Sequence, residues 1–363
     1  KARVNLPSIE MFKNIEDNGE RLAKIAFSKD RVGNFVWKTL SETLVYAVNR
    51  LGEVADDIVN VDRGMTFGFN WELGPFETWD ALGVEKVARR LEEEGRDVPK
   101  MVVDMLAAGH ESFYELANPQ GRYYNGKDMQ DIPARPGVTV LKDLKKDKSR
   151  IVKTSPGASL LDLGDGVACL EFHGKMNAVG GDIIGMTAFS VAEVEKNFDG
   201  LVIGNQGEQF SAGANLALLL MEAQEGNFED IDLMVRQFQR ATTSIRYCKK
   251  PVVVAPFGMA LGGGCEYVLH GDAVQAAAES YVGLVEVGVG LIPAGGGTKE
   301  MLLRHVGGAA KRGDKDLLPA LQKAFEAIGM AKVATSAEEA RDLGFLRDTD
   351  GITMNGDALI SAA

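Results

Sequence analysis

The sequence predicts an α/β domain over residues 157–363, preceded by an all-α domain over residues 1–132, with a basic connector at 133–156 between them. Three observations predict it. A chain of 363 residues exceeds the usual size of one domain. Its first third repeats apolar residues at three- and four-residue spacings, the period of helices, with no alternating run. Beyond Pro156, short apolar runs alternate with helix-like stretches, and glycine becomes frequent between them.

Taken in order, Pro7-Ser8 ahead of Ile9, Phe12 and Ile15 marks a helix entry. Val32, Phe35, Val36, Leu40, Leu44, Val48 and Leu51 form the apolar stripe of a long helix. Gly74-Pro75 opens another, since proline suits the first helical turn, and Gly83 ends it. Val84, Val87, Ala88 and Leu91 continue helically until Gly95, and Pro99 opens the next helix. Pro133, Pro136 and Gly137 then interrupt any helix, and residues 142–153 hold six basic side chains against two Asp, as a solvated connector would. Residues 160–163 and 167–172 flank Gly164-Asp165-Gly166, a hairpin signal. Residues 201–203, 252–255 and 274–278 suit buried parallel strands, with a helix over 231–245 between the first two.

Composition excludes several functions. Forty Lys and Arg against 52 Asp and Glu leave a net charge of -12, which disfavours nucleic acid or an anionic membrane as partner. No apolar run reaches the roughly 20 residues of a membrane span. Three cysteines without a CxxC pair, and four scattered histidines, speak against a disulfide framework or a zinc site and fit a reducing cytoplasm. The start at Lys1, Arg3 and Asn5 carries no apolar leader core, and the chain stops just after Asp357-Ala358-Leu359-Ile360; both ends read as cuts inside a longer protein.

Glycine points to the chemistry. Three segments join special backbone to polar residues: Gly207 to Leu216, with Phe210-Ser211-Ala212-Gly213-Ala214-Asn215-Leu216; Gly258 to Glu266, with Ala260-Leu261-Gly262-Gly263-Gly264-Cys265-Glu266; and Leu284 to Thr298, with Glu286 and Gly295-Gly296-Gly297. Glycines let backbone approach a ligand closely and leave N–H groups free to donate. Gly262-Gly263-Gly264 leads from a strand into a helix, whose N-terminus suits a developing oxyanion. One such loop alone is more often a turn than a site. A nucleotide-phosphate loop would need GxGxxG or GxxxxGK[ST], and neither occurs.

The three segments in order resemble the crotonase (enoyl-CoA hydratase/isomerase) superfamily over about residues 157–363. The resemblance implies a β-β-α spiral fold, with the backbone N–H groups of Ala214 and Gly263 holding the thioester oxygen of an acyl-CoA. It implies Glu266 and Glu286, twenty residues apart, as the catalytic acids and bases. It places Lys175, in the stretch 172–179, near the CoA nucleotide, and Ala212, Asn215 and Gly262 around the substrate. Asn215 stands where that family usually has Asp, and a residue other than Pro precedes Glu286. His173 and His270 match no motif and read as structural or solvent-facing, and Cys265 as a small packed residue. In the first domain, Ala55-Asp56-Asp57-Ile58-Val59, Val61-Asp62-Arg63-Gly64-Met65 and Gly68-Phe69-Asn70-Trp71-Glu72-Leu73-Gly74-Pro75-Phe76-Glu77 resemble the C-terminal helical domain of 3-hydroxyacyl-CoA dehydrogenases, over about residues 30–130.

Together the halves resemble the C-terminal part of a bacterial bifunctional protein of fatty-acid β-oxidation. The resemblance implies a hydratase module here and an NAD-dependent dehydrogenase in the missing N-terminal part, with acyl-CoA as substrate and no cofactor in this chain. A homo-oligomer or an intramolecular domain assembly is the expected partner state. Two other readings stand beside hydration: a Δ3-Δ2-enoyl-CoA isomerase, which needs the oxyanion loops but can work with one glutamate, at the 286 position, and a non-catalytic, truncated assembly module. Because no strand-GxGxxG-helix unit is present, calorimetric titration with NADH is expected to show no saturable site at micromolar concentration, about -8 kcal/mol.

Overall fold

In the computed structural model, which describes residues 6–15, 17–116 and 121–363, the chain divides into two units, Lys1–Ala134 and Arg135–Ala363. The opening residues Lys1, Arg3 and Asn5 lie outside the described residues.

Among the described residues, seven helices dominate the first unit: α1 (Pro7–Phe12), α2 (Asn18–Ala26), α3 (Arg31–Asn49), α4 (Ile58–Phe69), α5 (Pro75–Leu82), α6 (Val84–Glu93) and α7 (Lys100–Ala107). Local chemistry starts three of them, since Asp17, Asp30 and Asp57 cap α2, α3 and α4 by accepting N–H groups of the first turn. The stripe on α3 buries Leu44 and Val48 but leaves Phe35 70% exposed, so the spacing overstates its width by one residue. The Gly-Pro-Phe-Glu segment has a reason at each position. A Cβ on Gly74 would lie 2.3 Å from the Asp62 side chain, Pro75 fits the first turn of α5, Phe76 is fully buried, and Glu77 accepts the Gly74 N–H at 2.8 Å. Asp62 in turn accepts the N–H groups of Phe76 (2.8 Å) and Glu77 (3.1 Å) and the Tyr114 hydroxyl (2.7 Å). The unit is not all-α, however. Strands β1 (Tyr114–Glu115), β2 (Arg122–Tyr124) and β3 (Met129–Asp131) form a small antiparallel sheet whose two- and three-residue lengths are too short to show alternation.

The connector expected at 133–156 is a correction. Residues 135–156 belong to the second unit, where α8 (Leu141–Leu144) is followed by β4 (Ile151–Thr154), an edge strand paired antiparallel to β5 (Ala158–Gly164). Leu141 is fully buried, and Lys145 Nζ lies 2.8 and 3.0 Å from the carboxylate oxygens of buried Glu171. Of the six basic residues that read as solvation, Lys153 lies on the edge strand itself, where charge discourages pairing with other chains.

From β5 the chain turns through 164–166 into β6 (Val167–Phe172), as the hairpin signal predicts. Then come α9 (Gly181–Asn197), β7 (Gly200–Gly204), α10 (Leu216–Glu225), α11 (Phe228–Arg246), β8 (Val252–Val254), β9 (Gly258–Leu261), α12 (Gly263–His270), β10 (Ala273–Ala277), β11 (Ser280–Gly283) and α13 (Gly297–Leu302). Further helices follow, the longest of them Leu318–Gly329, with a last strand β12 (Gly351–Thr353). The main sheet runs β12-β10-β8-β7-β6-β5-β4, parallel from β6 to β12. Side chains alternate across it: Leu160, Leu170 and Ile203 join the larger core, while Leu161, Cys169 and Val202 pack with Leu359 and Ile360 on the other face. Strands β9 and β11 form a separate parallel pair, and this pair carries the candidate site. Among the described residues no helix is long and apolar enough to cross a membrane.

Candidate active site

Three chain segments meet at the ends of β9 and β11. Ser211 extends the pair on the far side of β9: its N–H donates to Met259 O (2.9 Å) and its carbonyl accepts from the Leu261 N–H (3.0 Å). Gly262 donates to Gly283 O at 2.9 Å, tying the start of α12 to the end of β11. Gly213 sits at φ +93°, and a Cβ there would lie 2.8 Å from Leu261 O and 3.4 Å from Gly263 N. That close approach sets Ala214 beside Gly263. Gly263 is the first residue of α12, where a backbone N–H has no acceptor within the helix. The two backbone positions expected to hold an oxyanion are thus brought together.

Glu266 lies one turn into α12 and is 2% exposed. Its Oε1 accepts the Gly297 N–H at 2.8 Å. Burial pushes its carboxyl up to about 8, with the charge of nearby Glu286 adding to the rise and the Gly297 and Gly295 N–H groups opposing it. Glu286 opens the single 3₁₀ turn after β11. Both of its carboxylate oxygens are buried without a hydrogen-bond partner, and burial raises its pKa as well. A Cβ on Gly262 would be 3.4 Å from Glu286 Oε1, so glycine there leaves room for the carboxylate beside the loops that carry Ala214 and Gly263. A buried carboxylate without a partner is costly and needs an explanation, and a small polar reactant supplies one.

The remaining expected residues divide. Ala212 donates its N–H to Met176 O at 3.1 Å, joining the loop that carries Ala214 to the 3₁₀ turn Lys175–Asn177. Lys175 is exposed on that turn. Asn215 is the N-cap of α10, accepting the Leu218 N–H at 3.3 Å, which gives it a structural task that Asp would also perform. Cys265 is fully buried and burial raises its thiol, so it is packing and not a nucleophile. His173 shares a hydrogen bond with Ser159 Oγ at 2.8 Å. His270 is fully buried, not solvent-facing. Among the described residues no three His, Cys, Asp or Glu side chains converge as a metal site requires.

Sequence reasoning missed two features. It marks the glycines at 295–297, but not as the partner of Glu266; a Cβ on Gly295 would fall 2.5 Å from Glu266 Oε2, and one on Gly297 3.0 Å from Oε1. Three consecutive glycines ahead of a helix are the available signal. A cleft of about 450 Å³ lined in part by Lys142, Lys145, Glu171, His173 and Gln206 borders the Lys175 turn, and its lysines come from the segment read as a connector.

Residues 164–313, which contain all three loops, match the enoyl-CoA hydratase/isomerase family. The second unit is crotonase-like in fold. Over 360 residues, 99% of this chain and 45% of that protein, the sequence is 46% identical to a probable 3-hydroxyacyl-CoA dehydrogenase of Bacillus subtilis (strain 168). It is 28% identical over 308 residues (85% of this chain, 40% of that protein) to a putative fatty acid oxidation complex trifunctional enzyme of Rickettsia felis. A probable enoyl-CoA hydratase of Bacillus subtilis is 32% identical over 183 residues, 50% of this chain and 64% of that protein. Among solved structures, an enoyl-CoA hydratase from Polaromonas sp. JS666 is 27% identical, with a TM-score of 0.47, covering 56% of this chain and 74% of that one. The chain spans under half the length of the first two relatives.

The raised carboxyl of Glu266 makes a stability prediction. In an unfolded crotonase-like unit the group titrates near the ordinary 4.5, and folded near 8. An acid whose pKa is higher when folded binds its proton more tightly there, so ionising it costs stability as pH climbs from about 4.5 to about 8. Glu266→Gln removes that cost. Its stability is expected to gain on the wild type's by an amount that grows from pH 5 to pH 8, on the order of 3 kcal/mol by pH 7, with the thermal midpoint rising accordingly. Calorimetry at several pH values checks it, and a difference independent of pH would refute the burial of a titrating carboxyl.

Proposed function

We propose that the second unit adds water across the double bond of a 2-enoyl-CoA, giving a 3-hydroxyacyl-CoA. The observation that carries this reading is the unequal pair of glutamates, each with its carboxylate buried, beside the two oxyanion loops: Glu266 held by a peptide N–H, Glu286 with both oxygens unpartnered. Burial raises both carboxyls and the charge of Glu286 raises Glu266 further, so the pair holds a proton near neutral pH, which leaves one base and one acid. Addition of water to Cβ puts enolate charge on the thioester oxygen, where the Ala214 and Gly263 N–H groups stabilise it more than the ground state. The ionised glutamate takes a proton from the attacking water while the protonated one delivers its own to Cα. Proton and hydroxide are the only groups moved, so the step needs no redox cofactor. Lys175 on its exposed turn would meet the CoA nucleotide.

For the whole protein we infer an accompanying NAD-dependent 3-hydroxyacyl-CoA dehydrogenase, supported by the 46% identity to a protein of that printed name and by the helical first unit. The hydration product is the alcohol such an enzyme oxidises. A spectrophotometric assay with crotonyl-CoA tests the hydratase reading, which fails if the wild-type chain leaves that substrate unchanged. A 3-enoyl-CoA tests the isomerase reading, which the second glutamate at 266 disfavours.

A further inference from the structure

His270 lies one turn along α12 from Glu266, and its Nδ1 is 2.6 Å from the Glu266 carbonyl oxygen. Its Nε2 is 3.2 Å from Lys299 Nζ. An ammonium only donates, so Nε2 carries the lone pair, and the ring proton sits on Nδ1 and is given to the Glu266 carbonyl. Lys299 in turn lies 3.0 Å from Glu300, a carboxylate wholly buried between it and Arg246 Nη2 at 3.2 Å, with His270 Nε2 at 3.8 Å. Burying the Glu300 carboxylate is costly even when it is paired, and apolar residues of similar volume are often no less stable in such a place. What the cluster supplies is one fixed arrangement.

That arrangement bears on Glu266 through the turn at 295–297. Gly296 sits at φ +112°, and a Cβ on it would lie 2.7 Å from Cε1 of His270, so the turn rests directly on the imidazole ring. Gly297, the next residue, donates to Glu266 Oε1, and Gly295 packs on Oε2. Thr242 from α11 holds the turn from its other end, donating to Gly295 O at 2.7 Å. Glu300 donates its N–H to Gly296 O at 3.0 Å, closing the circuit.

We propose that His270, locked by Lys299, Glu300 and Arg246, is a positioning residue that sets the Glu266 carboxyl in place through the glycine turn at 295–297. This rests on the acid–base role proposed for Glu266. The charged groups around the ring are Lys299 and Glu300 from α13 and Arg246 from α11, with Arg304 donating to the neighbouring Leu269 carbonyl and Glu286 facing Glu266 itself. Burial lowers His270 to about 4, so the ring stays neutral at physiological pH and serves as a support, not a proton relay.

The test uses the whole chain with carboxyl-¹³C glutamate, the Glu266 resonance being assigned by its loss in Glu266→Gln. Its NMR titration, and kcat and KM for crotonyl-CoA, are measured in wild type, His270→Leu and Lys299→Met. Both variants are expected to move the Glu266 titration. His270→Leu should also lower kcat about 10–100-fold, as small misplacements of reacting groups do, with KM little changed, and Lys299→Met should lower it less. An unmoved Glu266 titration in the folded variants overturns the proposal whatever the activity. If His270→Leu does not fold, the half-exposed Lys299→Met decides in the same way. A moved titration in a chain whose wild type hydrates nothing supports the positioning role and refutes the hydratase reading.

Discussion

Glu266→Gln and Glu286→Gln are each expected to lower kcat for crotonyl-CoA hydration by about 10²–10⁴-fold, the usual contribution of a general acid or base. The amide keeps the size of the side chain, and in Glu266→Gln its oxygen can still accept the Gly297 N–H, but neither amide exchanges a proton. Acyl-CoA affinity should therefore change little. Because both residues serve one addition, the double variant should cost less than the product of the single effects. The pair also needs one proton between its members, so wild-type kcat should fall on both sides of a maximum. On the alkaline side the fall follows ionisation of the second carboxyl, near pH 8 if Glu266 is the later to lose its proton. An isomerase would respond otherwise, with Glu286→Gln abolishing turnover and Glu266→Gln tolerated. Full hydratase activity in both variants would remove these residues from the active site.

Gly213→Ala is expected to cost about 10²–10³-fold in kcat, the loss seen when an oxyanion donor is removed, although it deletes no functional group. The added methyl would meet Leu261 O at 2.8 Å, and the backbone at φ +93° disfavours any residue with a Cβ. Leu261 is the last residue of β9 and leads directly to Gly262 and Gly263. Relief of the clash must separate the loop carrying Ala214 from the loop carrying Gly263, and the two N–H groups then no longer share one oxygen. The same strain should lower stability by about 1–3 kcal/mol. Stopped-flow kinetics and thermal unfolding on one preparation separate the two effects. A variant destabilised but fully active would show that the two loops act independently.

Much of this architecture is legible in the sequence because it is local. Helix α5 begins at Gly74-Pro75 and the β5–β6 hairpin turns at 164–166 for reasons contained within a few residues: a proline that fits a first turn, and glycines that accept positive φ. The parallel strands at 201–203 and 252–254 are apolar throughout because both of their faces are covered, and that too shows in the residues themselves. The three glycine-rich loops are visible for the same reason.

What depends on distant partners is not. Six basic residues at 142–153 look solvated until Leu141 is seen to be buried and Lys145 to pair with Glu171, 26 positions away. Strands of two and three residues at 114–131 carry no period to detect, and only their mutual pairing defines them. In sequence each of the two glutamates belongs to one of the glycine-rich segments, and nothing adjacent to either tells them apart. They become different when Gly297, 31 positions on, grips one of them and leaves the other without a partner. His270 reads as an ordinary helix residue because nothing adjacent to it is charged; Lys299, Glu300 and Arg246 reach it from two other helices. Periodicity and turn chemistry report the geometry of the nearest few residues, whereas burial, charge pairing and the proton affinity of a carboxyl are sums over neighbours that only the folded chain brings together.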